Sequence, residues 1–259
     1  MALRCGVACS PPRGAGGAVG VDNYLIAEGG QLRYRGPDGG VREAVSGRGL
    51  LVGVSRGVGK QADVAASAAV RVLGKLYGQA WPRKPARVLT RYLAQAHDRL
   101  YGRTRAHGQL LGASLCALWA EGDLAGWVQV GDARVYLYRD GRMTQLSTDH
   151  TQANFARRNS RTPGVDAEQV AQRFIQGSSG LGDDTRLHLE LGLDAGNEVL
   201  EPGDRLLLCT RGLWESVDPA SLADVLANVP EPQAAAVIAM ERALARGATA
   251  ELTALVVGA

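Results

Sequence analysis

Residues Leu50 to Lys60 read Leu-Leu-Val-Gly-Val-Ser-Arg-Gly-Val-Gly-Lys, and a helix-like stretch, Gln61 to Gln79, follows at once. An apolar, β-branched run thus enters a tight turn on Gly57 and Gly59. Strand, glycine turn and helix in succession can hold an oxyanion or a metal at the strand end. The residue at that end is Arg56, a permanent cation with N–H donors and no lone pair to offer a metal. Other chemistry-bearing residues give less. Cys5 and Cys9 lack the partners and spacing of a zinc site, and Cys116 and Cys209 sit in apolar runs as small core residues. His150, in Thr-Asp-His, reads as a hydrogen-bonded structural residue, and His97 as helix surface or helix–helix packing. Trp214 reads as a core anchor beside its turn. Ser178-Ser179-Gly180 lacks the Lys-Ser pair of a phosphate loop. No Ser/His/Asp order emerges.

Composition narrows the function classes. A net charge of +3 over 259 residues is too small to argue for nucleic acid. The chain can bury a substantial core without disulfides or metals. Its cysteine usage fits a reducing cytosol, which predicts a cytoplasmic protein. No apolar run approaches the roughly 18 residues that span a bilayer, so no membrane insertion is expected. The early Pro11-Pro12 and the glycines that follow do not form a signal-peptide core.

The elements that must carry Arg56 follow from periodicity. Val19 to Ala27 reads as a strand holding Asp22, and Gly29 to Gly49 as a polar hairpin or loop. Ala62, Ala65, Ala69, Val72, Leu73 and Leu76 recur at helical spacing, and Leu89, Tyr92, Leu93, Ala96 and Leu100 mark a second helix. Gly112–Trp119, Leu124–Val130, Ala133–Tyr138 and Arg142–Ser147 read as strands, with turn signals at Glu121-Gly122-Asp123 and Arg139-Asp140-Gly141. Thr151 to Asp184 is polar, with a short helical pattern near Ala167 to Phe174, and reads as a flap-like insertion. A strand at Arg205–Thr210, helices near Pro219–Asn228 and Gln233–Arg246, and a last strand at Leu252–Val257 complete the chain. With no internal repeat and no linker, residues 1–259 are expected to form one α+β domain with a sheet core.

Several of these stretches, in order, resemble the PPM family, the metal-dependent type 2C Ser/Thr protein phosphatases of bacterial type. Leu51 to Lys60 and its helix resemble the family's strand–DGMGG–helix element, and Gly112-Ala-Ser-Leu115 its GTTL. Val130-Gly-Asp-Ala-Arg-Val-Tyr-Leu137 is similar to VGDSRaYL, and Leu146-Ser-Thr-Asp-His150 to LTxDH. Residues 203–214 resemble GDxLLLCSDGLW, and Glu251 to Val257 the closing DNxTVVVV strand. The resemblance covers essentially the whole chain and implies a four-layer αββα sandwich, two antiparallel sheets flanked by helix pairs.

It also implies a degenerate site. Where the family has metal-binding aspartates, this chain has Arg56, Arg211 and Ala250. Of the early RxxNxD motif only Asp22 remains, with Gly17 and Gly20 in place of the phosphate-binding arginine and the asparagine. Asp132 and Glu215 fall where the family has further acids. Two Asp→Arg changes and one Asp→Ala change shift the pocket by about +5, against about +4 from two divalent ions. Three readings of the arginines stay open. They pair with Asp22, Asp132 or Glu215 in place of metals; or they line a site for a phosphorylated residue or another anion; or a phosphatase works through a rearranged metal site. The resemblance therefore implies a pseudophosphatase that acts in signalling by binding a protein such as a kinase or phosphoprotein. No catalytic residue and no cofactor is expected, manganese or magnesium entering only with an active phosphatase.

Overall fold

The computed structural model describes residues 2–10, 20–36, 39–59, 61–78, 84–94, 97, 112–150, 154 and 194–259. The flap expected at 151–184 lies outside them except for Asn154, as do Gly17, Lys60 and Ser178-Ser179-Gly180.

Strands β1 (Arg4–Ser10), β2 (Asp22–Glu28), β3 (Gln31–Gly36), β4 (Gly39–Ala44) and β5 (Leu50–Val58) come first. Helix α1 (Ala62–Tyr77) follows, then helical residues 85–94 as α2. Next come β6 (Gly112–Glu121), β7 (Leu124–Val130), β8 (Arg134–Arg139), β9 (Arg142–Gln145), β10 (Asp194–Val199) and β11 (Arg205–Cys209). Helices α3 (Arg211–Ser216), α4 (Pro219–Asn228) and α5 (Pro232–Ala245) precede β12 (Leu252–Gly258).

Two antiparallel sheets result. One has the order β1-β12-β11-β8-β9, the other β10-β7-β6-β5-β2-β3-β4. Burial explains why they stack. Val52, Val54, Cys116 and Leu118 of the larger sheet meet Val135, Leu206, Leu208 and Leu255 of the smaller in a middle core. The alternate residues Leu51, Leu115, Ala117 and Trp119 face α1 and α2. Leu207, Cys209, Ala254 and Val256 face α3 to α5. Strands buried on both faces read as continuous apolar runs, which is why β6, β7, β11 and β12 stand out in the sequence. The expected αββα sandwich is the observed fold.

The structure departs from the sequence reading in places. Arg56 and Gly57 lie inside β5, and the turn comes at Gly59, with φ +95°. Gly57 is required for packing: a Cβ there would stand 1.6 Å from the Ala62 carbonyl oxygen. Two edge strands, β1 and β10, carry no strong pattern. β10 (Asp-Ala-Gly-Asn-Glu-Val) is a strand because it pairs with β7, and Gly196 leaves space against the Trp127 ring. His97 is buried, which excludes the surface alternative for it and leaves the packing one.

Candidate functional site

The antiparallel register of β2 and β5 sets Asp22 directly opposite Arg56, so the two side chains share a face. On the other side of β5, Arg56 stands opposite Ser114 of β6. Arg56 Nη1 donates to Asp22 Oδ1 at 3.2 Å and to the Glu251 carbonyl at 2.8 Å. Asp22 is fully shielded from water, and its Oδ2 also accepts from Thr210 Oγ1 and from Thr253 Oγ1, the latter at 3.2 Å. Burial pushes its carboxyl up to about 7, with Glu251 adding to the rise; Arg56 and the two hydroxyls pull the other way.

Arg211, the first residue of α3, reaches Glu215 one turn on, with Nε and Nη2 at 3.2 and 3.0 Å, and its Nη1 lies 4.0 Å from Asp132 Oδ2. A cavity of about 430 Å³ is lined by Arg56, Gly57, Asp132, Arg211, Glu215 and Ala250, together with Ser114 and the start of α1. The structure thus brings together the residues that the sequence singled out, with Asp22 one layer beneath them.

Neighbouring residues hold this geometry. Trp214 Nε1 donates to the Asp132 carbonyl at 2.9 Å, and its ring lies under the Arg134 guanidinium, 3.5 Å from the centroid. Arg134 grips Asp149 through Nε and Nη2 at 2.9 and 2.7 Å. The His150 amide donates to the Gly131 carbonyl, and His150 Nδ1 accepts from the Gly131 amide. His150 therefore braces the turn that presents Asp132.

One pair was not singled out in the sequence. Glu251, beside Ala250, has a fully buried carboxylate that accepts from the Val21 amide and from Arg35 Nη1. Gly20 makes room for the pair: a Cβ there would stand 2.2 Å from Glu251 Oε1 and 2.6 Å from Arg35 Nη1. Glu251 is thus a junction: its side chain ties β12 to β2 and β3, and its carbonyl holds Arg56. The only sequence signal was an acid in place of the DN asparagine.

No protein-family model matches the chain. It is 30% identical over 146 residues, 56% of its length, to the Ser/Thr protein phosphatase PstP of Mycobacterium tuberculosis. The match spans only 27% of that protein. The catalytic domain of PstP, solved in complex with two manganese ions, superposes with TM-score 0.74 at 21% identity over 99% of this chain and 97% of that one. PppA, a regulatory component of T6SS in Pseudomonas aeruginosa, superposes with TM-score 0.74 at 27% identity over 100% and 98% of the two chains.

The manganese-bound structure corrects one expectation. The related PstP domain was solved with two manganese ions, so a sequence reading that expects no cofactor does not stand. Asp22 itself, held by Arg56 and two hydroxyls, does not fit the role of a metal ligand as placed. Among the described residues, no three of His, Cys, Asp and Glu come together to hold a metal. No helix among them is long and apolar enough to cross a membrane. Homologues and structural neighbours of this chain are PPM-type Ser/Thr protein phosphatases, and it carries their two-sheet fold with Arg56 and Arg211 in the pocket.

Proposed function

We propose that this chain is a catalytically inactive PPM homologue that acts in a cytoplasmic signalling complex by binding a phosphorylated protein, such as a kinase or its substrate, in the arginine-lined pocket. The observation that carries the reading is the Arg56–Asp22 pair. A guanidinium sits on the buried carboxylate, and the acid's other oxygen is taken by Thr210 and Thr253. A carboxylate so engaged is not available as a base or as a ligand.

Binding rather than mere scaffolding is favoured by the other edge of Arg56. Only its Nη1 bonds to protein among the described residues, so Nε and Nη2 remain for a ligand in the cavity. Such a two-donor edge suits a phosphoryl group, and the start of α1 lends its favourable dipole.

The test is an assay with a phosphoserine peptide and para-nitrophenyl phosphate, with manganese supplied, beside a calorimetric titration with the same peptide. Binding with hydrolysis at background is the expected result. Manganese-dependent turnover that Asp22→Asn abolishes would overturn the reading in favour of an active phosphatase with an atypical site.

A further inference from the structure

Ser114 has a part in this pocket that its sequence context does not assign. It is 2% exposed, sits directly opposite Arg56 in the β5–β6 register, and lines the same cavity. Its hydroxyl is buried and has no hydrogen-bond partner, while its carbonyl is satisfied by the Ser55 hydroxyl at 2.9 Å. Buried hydroxyls are rarely left orphaned, because desolvating one without a partner costs stability. An orphan on the wall of a ligand cavity, on the face that carries Arg56, therefore marks a contact made when the cavity is filled.

The charges around it indicate what fills it. Arg56 offers Nε and Nη2, and Ser114 offers one rotatable O–H. Arg56 and Ser114 thus offer three donors from neighbouring strands on one face, a number that suits the oxygens of a tetrahedral anion. Asp22 is taken up by Arg56 Nη1, Thr210 and Thr253 beneath them, and the two carboxylates that line the cavity, Asp132 and Glu215, face Arg211.

We propose that Ser114 is a ligand-binding residue whose hydroxyl donates to a phosphoryl oxygen held on the free edge of Arg56; this rests on the phospho-ligand reading above. The phosphoryl group belongs to a phosphate monoester or to free phosphate, and the two are separated by the probes.

Ser114→Ala is the discriminating variant. It removes a hydroxyl that has no partner in the free protein, so the melting temperature should stay level or rise. Affinity for inorganic phosphate and for a phosphoserine peptide, read by calorimetry, should fall about tenfold. Ser114→Thr keeps the hydroxyl and should bind within about twofold of the unchanged protein. Tighter binding of the peptide than of phosphate identifies a protein ligand, and equal binding a small anion. If Ser114→Ala melts lower and binds as before, the hydroxyl is structural and this proposal fails while the phospho-ligand reading stands. If the unchanged protein binds neither probe, the phospho-ligand reading fails and takes the proposal with it.

Discussion

Arg56 and Arg211 enter one pocket on different supports, and the difference separates two kinds of ion pair. Arg56 projects from β5, whose position is fixed by hydrogen-bonded neighbours on both sides, and meets a carboxylate that water does not reach. Arg211 opens the short helix α3 and pairs at i,i+4 with Glu215, whose side chain is half exposed. The first pair cannot lose a partner without stranding a charge in the interior. The second is weaker because Glu215 is half exposed, although the Arg211 side chain is itself about as shielded as that of Arg56. The same type of residue in two places of one pocket is thus structural in one and adaptable in the other.

The largest effect should follow Arg56→Ala. Asp22 then keeps only hydroxyl partners, and the loss should be about 3–5 kcal/mol when the carboxylate is ionised, as for other broken buried pairs. The pH dependence has a definite sign. Because the folded-state pKa of Asp22 is raised from 3.8 to about 7, the folded protein holds this proton more tightly than the unfolded chain. Its contribution to stability is therefore full below about pH 4 and lost as pH rises through 7. Denaturant melts at pH 5 and 8 should show Arg56→Ala damaged more at pH 8. Asp22→Asn should flatten the profile between those values. A loss equal at both pH values would contradict a carboxylate that titrates in this window.

Glu251→Gln should come next. The amide oxygen can still accept from the Val21 amide, but the ion pair with Arg35 is gone. A cost of about 1.5–3 kcal/mol is expected for a hydrogen bond to a charged group, measured as a shift in denaturant midpoint. Asp22→Asn and Arg56→Ala combined should cost less than their sum, since each alone leaves the other unmatched. Strict additivity would mean that the two do not interact. Arg211→Ala should be the smallest, about 0.5 kcal/mol and fading in high salt, because its partner Glu215 is half exposed. A loss as large as that of Arg56→Ala would erase the contrast between the two sides of the pocket.

What was legible in the sequence follows the same division. Asp22, Arg56, Asp132 and Arg211 lie on or beside strands whose apolar runs are long, so their neighbourhood could be read before any coordinates. Glu251 and Arg35 could not be paired that way, being 216 residues apart and joined only by the stacking of two sheets. Ser114 lies within a recognisable motif, but its missing partner is a property of packing. β1 and β10 went unread because edge strands take their conformation from the neighbour they pair with, here β12 and β7.

The central claim is that the pocket binds a phosphoryl group without cleaving it. The most direct measurement is a phosphorus NMR titration of a phosphoserine peptide with the protein, in magnesium, followed over hours. The account predicts a saturable shift of the peptide resonance that Arg56→Ala removes, and no inorganic phosphate signal. Growth of free phosphate that depends on the metal and on Asp22 would contradict it.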